Sequence, residues 1–332
     1  MSGVDLDLIF LGTSGSVPTA QRAPSALLIR RGGERMLFDC GEGTQRQLLR
    51  STIGLPELPE VFVSHFHADH YLGLPGMLKT FALRGRELPL TVYGPRGLKD
   101  LFATLRRVFG RLPYGLELVE LAPGEVLERG EYNLVTFPVA HAAESIGFAL
   151  VEHPRPGRFD VETADALGVP SGPERGLLQA GESVQLPDGR VVTPDEVLGP
   201  ARSGRRIVLS GDTAFSPLVL EAARGAEVLV HEATFLDEER ERAADTAHAT
   251  ALEAAELARE AEVGLLALTH LSNRYFGPEV AREARTIFPD TVVPKDFDVI
   301  DVPFPERGAP SLVKGGAKQS REERAPEAEV VP

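Results

Sequence analysis

The chain has 332 residues, with 35 Lys and Arg against 49 Asp and Glu for a net charge of −14, and 42% of its residues are hydrophobic. That balance describes a globular protein, long enough for one large domain or two average ones, with a sizeable core in either case. The single cysteine, Cys40, excludes a disulfide framework and any thiolate-built metal site. No apolar run reaches the roughly 18–20 residues of a membrane span, and the N-terminus lacks the basic-then-apolar order of a signal peptide. The expectation is a cytoplasmic protein with no membrane partner. An acidic balance also argues against nucleic acid, which selects a basic face, unless a local patch reverses the average.

Residues 6–11 form a short apolar run stopped by Gly12 and read as a buried strand; 26–29 and 36–38 follow, joined by a hairpin signal at Gly32-Gly33. Strands are expected next at 61–63, 90–93, 134–137 and 148–151, then at 207–209, 228–230 and 265–268. Helices are expected at 43–51, 73–84, 97–109, 216–224, 250–262 and 278–287. Thr250 followed by Glu253 is a capping box ahead of an Ala/Leu run, which marks one helix start. Strands cluster first and later alternate with helices, the order of a layered α/β protein. Residues 154–204 hold seven Pro and eight Gly and read as an inserted arm with little core of its own. Residues 306–332 contain no aromatic and balance five basic against five acidic groups, which predicts a disordered tail after a main domain of 1–305.

The strongest chemical signal is Ser64-His65-Phe66-His67-Ala68-Asp69-His70, directly after the strand at 61–63. Four potential ligands fall within six residues. On an extended strand end His65, His67 and Asp69 would share one side and His70 would face the other. Imidazole plus carboxylate without thiolate suits zinc, manganese or iron in a hydrolytic site. Three of the chain's eight histidines fall in this loop beside a carboxylate, which argues against a polar surface loop rich in His by accident.

His141, Asp212 and His270 each stand where an apolar strand gives way to a loop, the place where layered α/β folds present functional groups. Alone, each is more simply a satisfied structural His or a turn-capping Asp; beside the cluster, they can complete a two-ion site, with Asp212 able to bridge through its two oxygens. Glu232 and His248 can form a carboxylate–imidazole pair that delivers a proton, against the plainer alternatives of a salt bridge and a helix-entry residue. Arg274, close after His270, can clamp a phosphate. The turn 12–16 lacks the Lys of a P-loop and the third Gly of a dinucleotide fingerprint, so a tight turn is preferred there. The Gly-rich turn 39–45 shapes the site wall, and Cys40 reads as a small core hydrophobe.

These residues resemble the metallo-β-lactamase superfamily through the His-x-His-x-Asp-His loop. More narrowly, residues 6–304 are similar to the short-form ribonuclease Z family of tRNA 3′-processing endoribonucleases. The similarity is carried by Phe38-Asp39-Cys40-Gly41-Glu42-Gly43-Thr44-Gln45, Ser210-Gly211-Asp212-Thr213 and His231-Glu232-Ala233-Thr234-Phe235. Ala247-His248-Ala249-Thr250, Thr269-His270-Leu271-Ser272-Asn273-Arg274-Tyr275 and the arm's Leu167-Gly168-Val169-Pro170-Ser171-Gly172-Pro173 add to it. The resemblance implies an αββα sandwich of two mixed sheets with outer helices, an inserted tRNA-binding arm, and two zinc ions per subunit, with manganese as the alternative. It places His65, His67 and His141 on the first ion, Asp69, His70 and His270 on the second, and Asp212 between them. A metal-bridging hydroxide would attack phosphorus, with Asp69 orienting or deprotonating the nucleophile and Glu232 with His248 protonating the departing 3′ oxygen. It further implies a homodimer acting on precursor tRNA, with no DNA partner.

One departure concerns the arm, where five Arg face eight Asp and Glu for a net of −3. Either Arg155, Arg158 and Arg175 concentrate locally or tRNA affinity is modest. The alternatives to a tRNA endoribonuclease are a two-metal phosphodiesterase of the same fold for small substrates, which has no need of the arm, and a non-catalytic binding protein, which would tolerate losing Asp69.

Overall fold

The computed structural model describes residues 4–55, 58–141 and 144–318. The chain opens with β1 (Leu6–Gly12), β2 (Ala26–Arg31), β3 (Glu34–Phe38), β4 (Glu60–Phe62), β5 (Leu90–Pro95) and β6 (Leu116–Leu121). The two-residue turn between β2 and β3 places Gly32 at φ 55, a left-handed conformation that Gly adopts without cost. β3 through β6 run parallel, and residues Thr44–Arg50, Gly73–Leu83 and Leu98–Phe109 supply helices on their outer face.

The second sheet is built from β7 (Val126–Glu128), β8 (Tyr132–Pro138) and β9 (Ile146–Glu152) and, after an excursion containing the hairpin β10 (Val184–Gln185) and β11 (Val191–Val192), from β12 (Arg206–Leu209), β13 (Val228–Glu232), β14 (Leu265–Thr269) and β15 (Thr291–Val292). Its order is β15-β14-β13-β12-β9-β8-β7. The chain then returns to the first sheet as β16 (Val299–Asp301) and β17 (Ser311–Val313), giving the order β17-β16-β1-β2-β3-β4-β5-β6.

Leu8, Phe10, Ile29 and Phe62 of the first sheet pack against Leu134, Phe148, Ile207 and Val230 of the second. The opposite faces are closed by helices, the first sheet through Leu48, Leu74, Leu78 and Phe102, the second through Val219, Ala254, Leu257 and Val280. This is the αββα sandwich expected. The capping box also forms: Thr250 Oγ1 accepts from Glu253 N at 3.1 Å, and Glu253 Oε2 from Thr250 N at 2.9 Å. Burial pushes the Cys40 thiol up to about 12, as suits a core hydrophobe.

Two expectations need correction. The arm does have a core, made by Ala164, Val169, Leu178, Val184, Leu186, Val192 and Val197. These residues lie far apart in sequence without a helical or strand period, so no pattern announced them. The tail is ordered over the part described: Ser311–Val313 pairs with β16, Ala317 is buried, and Glu306 binds the root of the arm. Residues 319–332 lie outside the described residues.

The arm's arginines do not form a basic cluster. Arg155 and Arg202 both pair with Glu306, at 2.9 and 3.2 Å, Arg155 lies over the Phe304 ring, and Arg175 pairs with Asp165. Arg190 pairs with Asp188. Of the five, only Arg158 has no ion pair among the described residues.

Candidate metal centre

Strand ends deliver the site. β3 leads into Asp39, β4 into the segment from Ser64 to His70, β8 towards His141, β12 into Asp212 and β14 into His270, while Glu232 is the last residue of β13. Loops at the carboxyl ends of parallel strands are where open α/β sheets bind ligands.

The histidine loop does not stay extended. β4 ends at Phe62, and Ala68–Tyr71 turns into a short helix. The expectation that His65, His67 and Asp69 share one side is therefore corrected, because the helical turn carries Asp69 and His70 together. His65 and His67 stand with His141 and Asp212, and Asp69 and His70 with His270; within each group the donor atoms lie within 4.8 Å of one another. Asp212 Oδ2 is 3.6 Å from His65 Nε2, 3.3 Å from His70 Nε2 and 3.2 Å from His270 Nε2, so one carboxylate reaches both groups.

Four of the five histidine rings are oriented from behind. His70 Nδ1 lies 2.7 Å from Asp39 Oδ2, His141 Nδ1 2.9 Å from the Ala247 carbonyl, His270 Nδ1 2.9 Å from Thr234 Oγ1 and His65 Nδ1 3.0 Å from Ser64 Oγ. Carboxylate and carbonyl oxygens only accept, so Nδ1 of His70 and His141 carries a proton and Nε2 is left to face the cluster. His67 instead turns Nδ1 inward, 3.1 Å from His141 Nε2.

A cation fits this donor set. His65 Nε2 is buried and has no hydrogen-bond partner among the described residues, a state that costs roughly 1–3 kcal/mol if nothing satisfies it. His70 and His270 hold their Nε2 atoms 3.3 Å apart with a carboxylate oxygen on either side. Nitrogen and oxygen donors without thiolate suit zinc or manganese.

Electrostatics follow the same grouping. Burial opposes ionisation of Asp212, but His270 and His70 outweigh it and hold the carboxyl well below its ordinary value. Asp69 is likewise held low against burial by its bond to His270 and the charge of His70. Burial lowers His65 and His67, while Asp212 with Asp39 raises His70, and Asp212 with Asp69 raises His270, against burial in both cases.

Glu232 and His248 are brought together. His248 Nδ1 lies 2.7 Å from Glu232 Oε1, which also accepts from Thr213 N at 2.8 Å, while Glu232 Oε2 accepts from Thr234 Oγ1 at 2.6 Å. Against its burial, the bond to Glu232 raises His248 above the ordinary imidazole value. The ring of His248 stacks on that of His270 with centroids 5.5 Å apart. Arg274 stands outside both groups, 3.3 Å from Glu239 and over the Phe235 ring.

Sequence reasoning missed the residues that orient the ligands. Asp39 and Thr234 sat inside quoted motifs, but nothing in their spacing showed that they would reach His70 and His270. The turn at 12–16, read as structural, closes on the site: Ser16 N donates to Asp69 Oδ2 at 2.6 Å. A Cβ at Gly15 would stand 2.6 Å from His270 Nδ1, so only Gly lets this turn approach.

Comparison with known proteins supplies the context. A family model described as Anti-Pycsar protein Apyc1 matches residues 6–150, less than half of the chain. A protein named ribonuclease Z from Methanosarcina acetivorans is 46% identical over 303 residues, covering 90% of this chain and 99% of its own. The crystal structure of human tRNase Z, short form, matches with a TM-score of 0.66 at 26% identity, covering 90% of this chain and 99% of its own. The metallo-β-lactamase fold protein YhfI from Bacillus subtilis matches with a TM-score of 0.66 at 20% identity and the same coverage, a likeness of fold.

Proposed function

The chain belongs to the ribonuclease Z family, and from that premise we infer a metal-dependent endoribonuclease that removes the 3′ trailer from precursor tRNA and leaves a 3′-hydroxyl. The observation that carries the mechanism is the convergence of two groups of donor atoms on Asp212 Oδ2.

Two divalent cations, zinc with manganese as the alternative, would be held by His65, His67 and His141 and by Asp69, His70 and His270, with Asp212 shared; when bound they supply Lewis acidity and charge neutralisation at the phosphate. The remaining chemistry is that of the side chains. Ser16 N–H pins Asp69 Oδ2, leaving the other oxygen to orient the attacking water. Glu232 holds His248 with Nδ1 engaged, so that the ring's other nitrogen is the one that protonates the departing 3′ oxygen. Arg274 exchanges Glu239 for a substrate phosphate, which its guanidinium can meet with two parallel hydrogen bonds. The protein works in the cytoplasm as a homodimer, with the arm of one subunit on the tRNA cut by the other. Among the described residues no helix is long and apolar enough to cross a membrane.

The test is cleavage of a precursor tRNA that lacks CCA and carries a 3′ trailer, by wild type and by Asp69→Ala, with metal content measured in each. A cut at the discriminator base in wild type, abolished in the variant, is expected. Hydrolysis of bis-p-nitrophenyl phosphate with the precursor left intact would refute the tRNA assignment and favour the small-substrate phosphodiesterase.

A further inference from the structure

Four of the arm's five arginines are engaged in ion pairs, which leaves the arm little free positive charge for phosphate and directs attention to other cations of the chain. Segment 96–111 carries Arg96, Lys99, Arg106, Arg107 and Arg111 against Asp100, a net of +4 in a chain of −14. All five cations are exposed, and none is in an ion pair among the described residues, unlike Arg30, Arg129, Arg205 and Arg224. The nearby Glu120 is occupied by the backbone N–H groups of Gly97 and Lys99, at 2.9 and 3.2 Å.

Lys99, Ala103 and Arg106 recur at a spacing of four and three along Leu98–Phe109, which places them on one helical face, and Gly110 and Arg111 follow just past the helix end. That face and β6 enclose a cleft of about 440 Å³ with Lys99, Arg106 and Arg111 at its rim and Phe102, Phe109 and Leu116 among its apolar walls. The helix starts beside the histidine loop, since a Cβ at Gly97 would stand 3.4 Å from the Phe66 ring. Its 12 residues then run about 18 Å away from it.

We propose that this cationic face grips the phosphate backbone of the precursor tRNA and guides it from the metal centre along the helix; the proposal rests on the tRNA reading given above. Long exposed cations without an ion pair among the described residues, gathered on one segment of a chain that is acidic overall, match a polyanion in charge. Bases are not read here, because the apolar walls present no array of donors and acceptors, so the contact is independent of sequence.

The test is the triple variant Lys99→Ala/Arg106→Ala/Arg111→Ala, with equilibrium binding of precursor tRNA measured across a salt series. Affinity is expected to fall by about tenfold or more at low salt, and the slope of log Kd against log salt to decrease by about one per cation removed. Hydrolysis of bis-p-nitrophenyl phosphate and the melting temperature should stay at wild-type values, since the metal centre is untouched. Wild-type affinity and slope in the variant would overturn the proposal. A changed sedimentation coefficient with an unchanged slope would also overturn it and assign the cleft to contact between copies of the chain. If wild type hydrolyses the small ester but neither binds nor cuts precursor tRNA, the functional reading itself fails, which is a separate result from a variant that matches an active wild type.

Discussion

Asp39→Asn tests whether the rings are oriented from behind. Asp39 has φ 57, a left-handed conformation that Asn tolerates, so the backbone is spared. The Asn oxygen can still accept from Ser64 N, as Asp39 Oδ1 does at 2.8 Å. Its amide, however, is a donor placed 2.7 Å from His70 Nδ1, where wild type has an acceptor. To avoid two donors meeting, His70 must move its proton to Nε2, the atom that faces Asp212 at 3.3 Å. A hydrogen bond to a charged partner contributes about 1.5–3 kcal/mol, which at about 1.4 kcal/mol per decade corresponds to roughly 10–100-fold in metal affinity, the range usual for such orienting contacts. Competition titration against a chelator measures it, with the melting temperature of the stripped protein as a control for folding. Unchanged metal affinity in the variant would refute the claim that Asp39 sets the His70 tautomer.

The pair Glu232 and His248 predicts a pH dependence. His248 is raised above the ordinary imidazole value against its burial by Glu232, so its protonated form, and the rate that depends on it, should persist above about pH 6.5 and fall as pH rises through the raised value. In Glu232→Gln the alkaline limb of kcat should move to lower pH, and an unmoved limb would exclude His248 as the acid. Glu306→Ala removes the shared partner of Arg155 and Arg202; limited proteolysis at 154–204 should speed up and precursor cleavage weaken, with ester hydrolysis unaffected. Chelation of the metals should lower the melting temperature and abolish activity together, with recovery on adding zinc, because the fold otherwise holds His65 Nε2 buried without a partner.

The sandwich was legible in the chain because its central strands are short apolar runs between turn signals, as at 61–63 and 228–230, and its long helices carry caps such as Thr250 with Glu253. Edge strands were not: β6 and β17 are half-exposed, so burial imposed no clear apolar pattern on them. The residues that the fold gathers into one candidate metal centre were likewise visible, because the histidines and carboxylates singled out at strand ends each terminate an apolar run. How they group was decided in three dimensions. Strand alternation would have set Asp69 with His65, yet the helical turn at Ala68–Tyr71 moved it to His70 and His270, a partner 201 residues away. Asp39, Ser16 and Thr234 acquire their roles only when loops from separate strands meet at one edge, since a hydrogen bond reads distance and direction in space and leaves no period in sequence. The same holds for charge: the composition is acidic overall, but whether an arginine is free or spent depends on which carboxylate the fold brings beside it, and that separates Arg106 and Arg111 from Arg155 and Arg175.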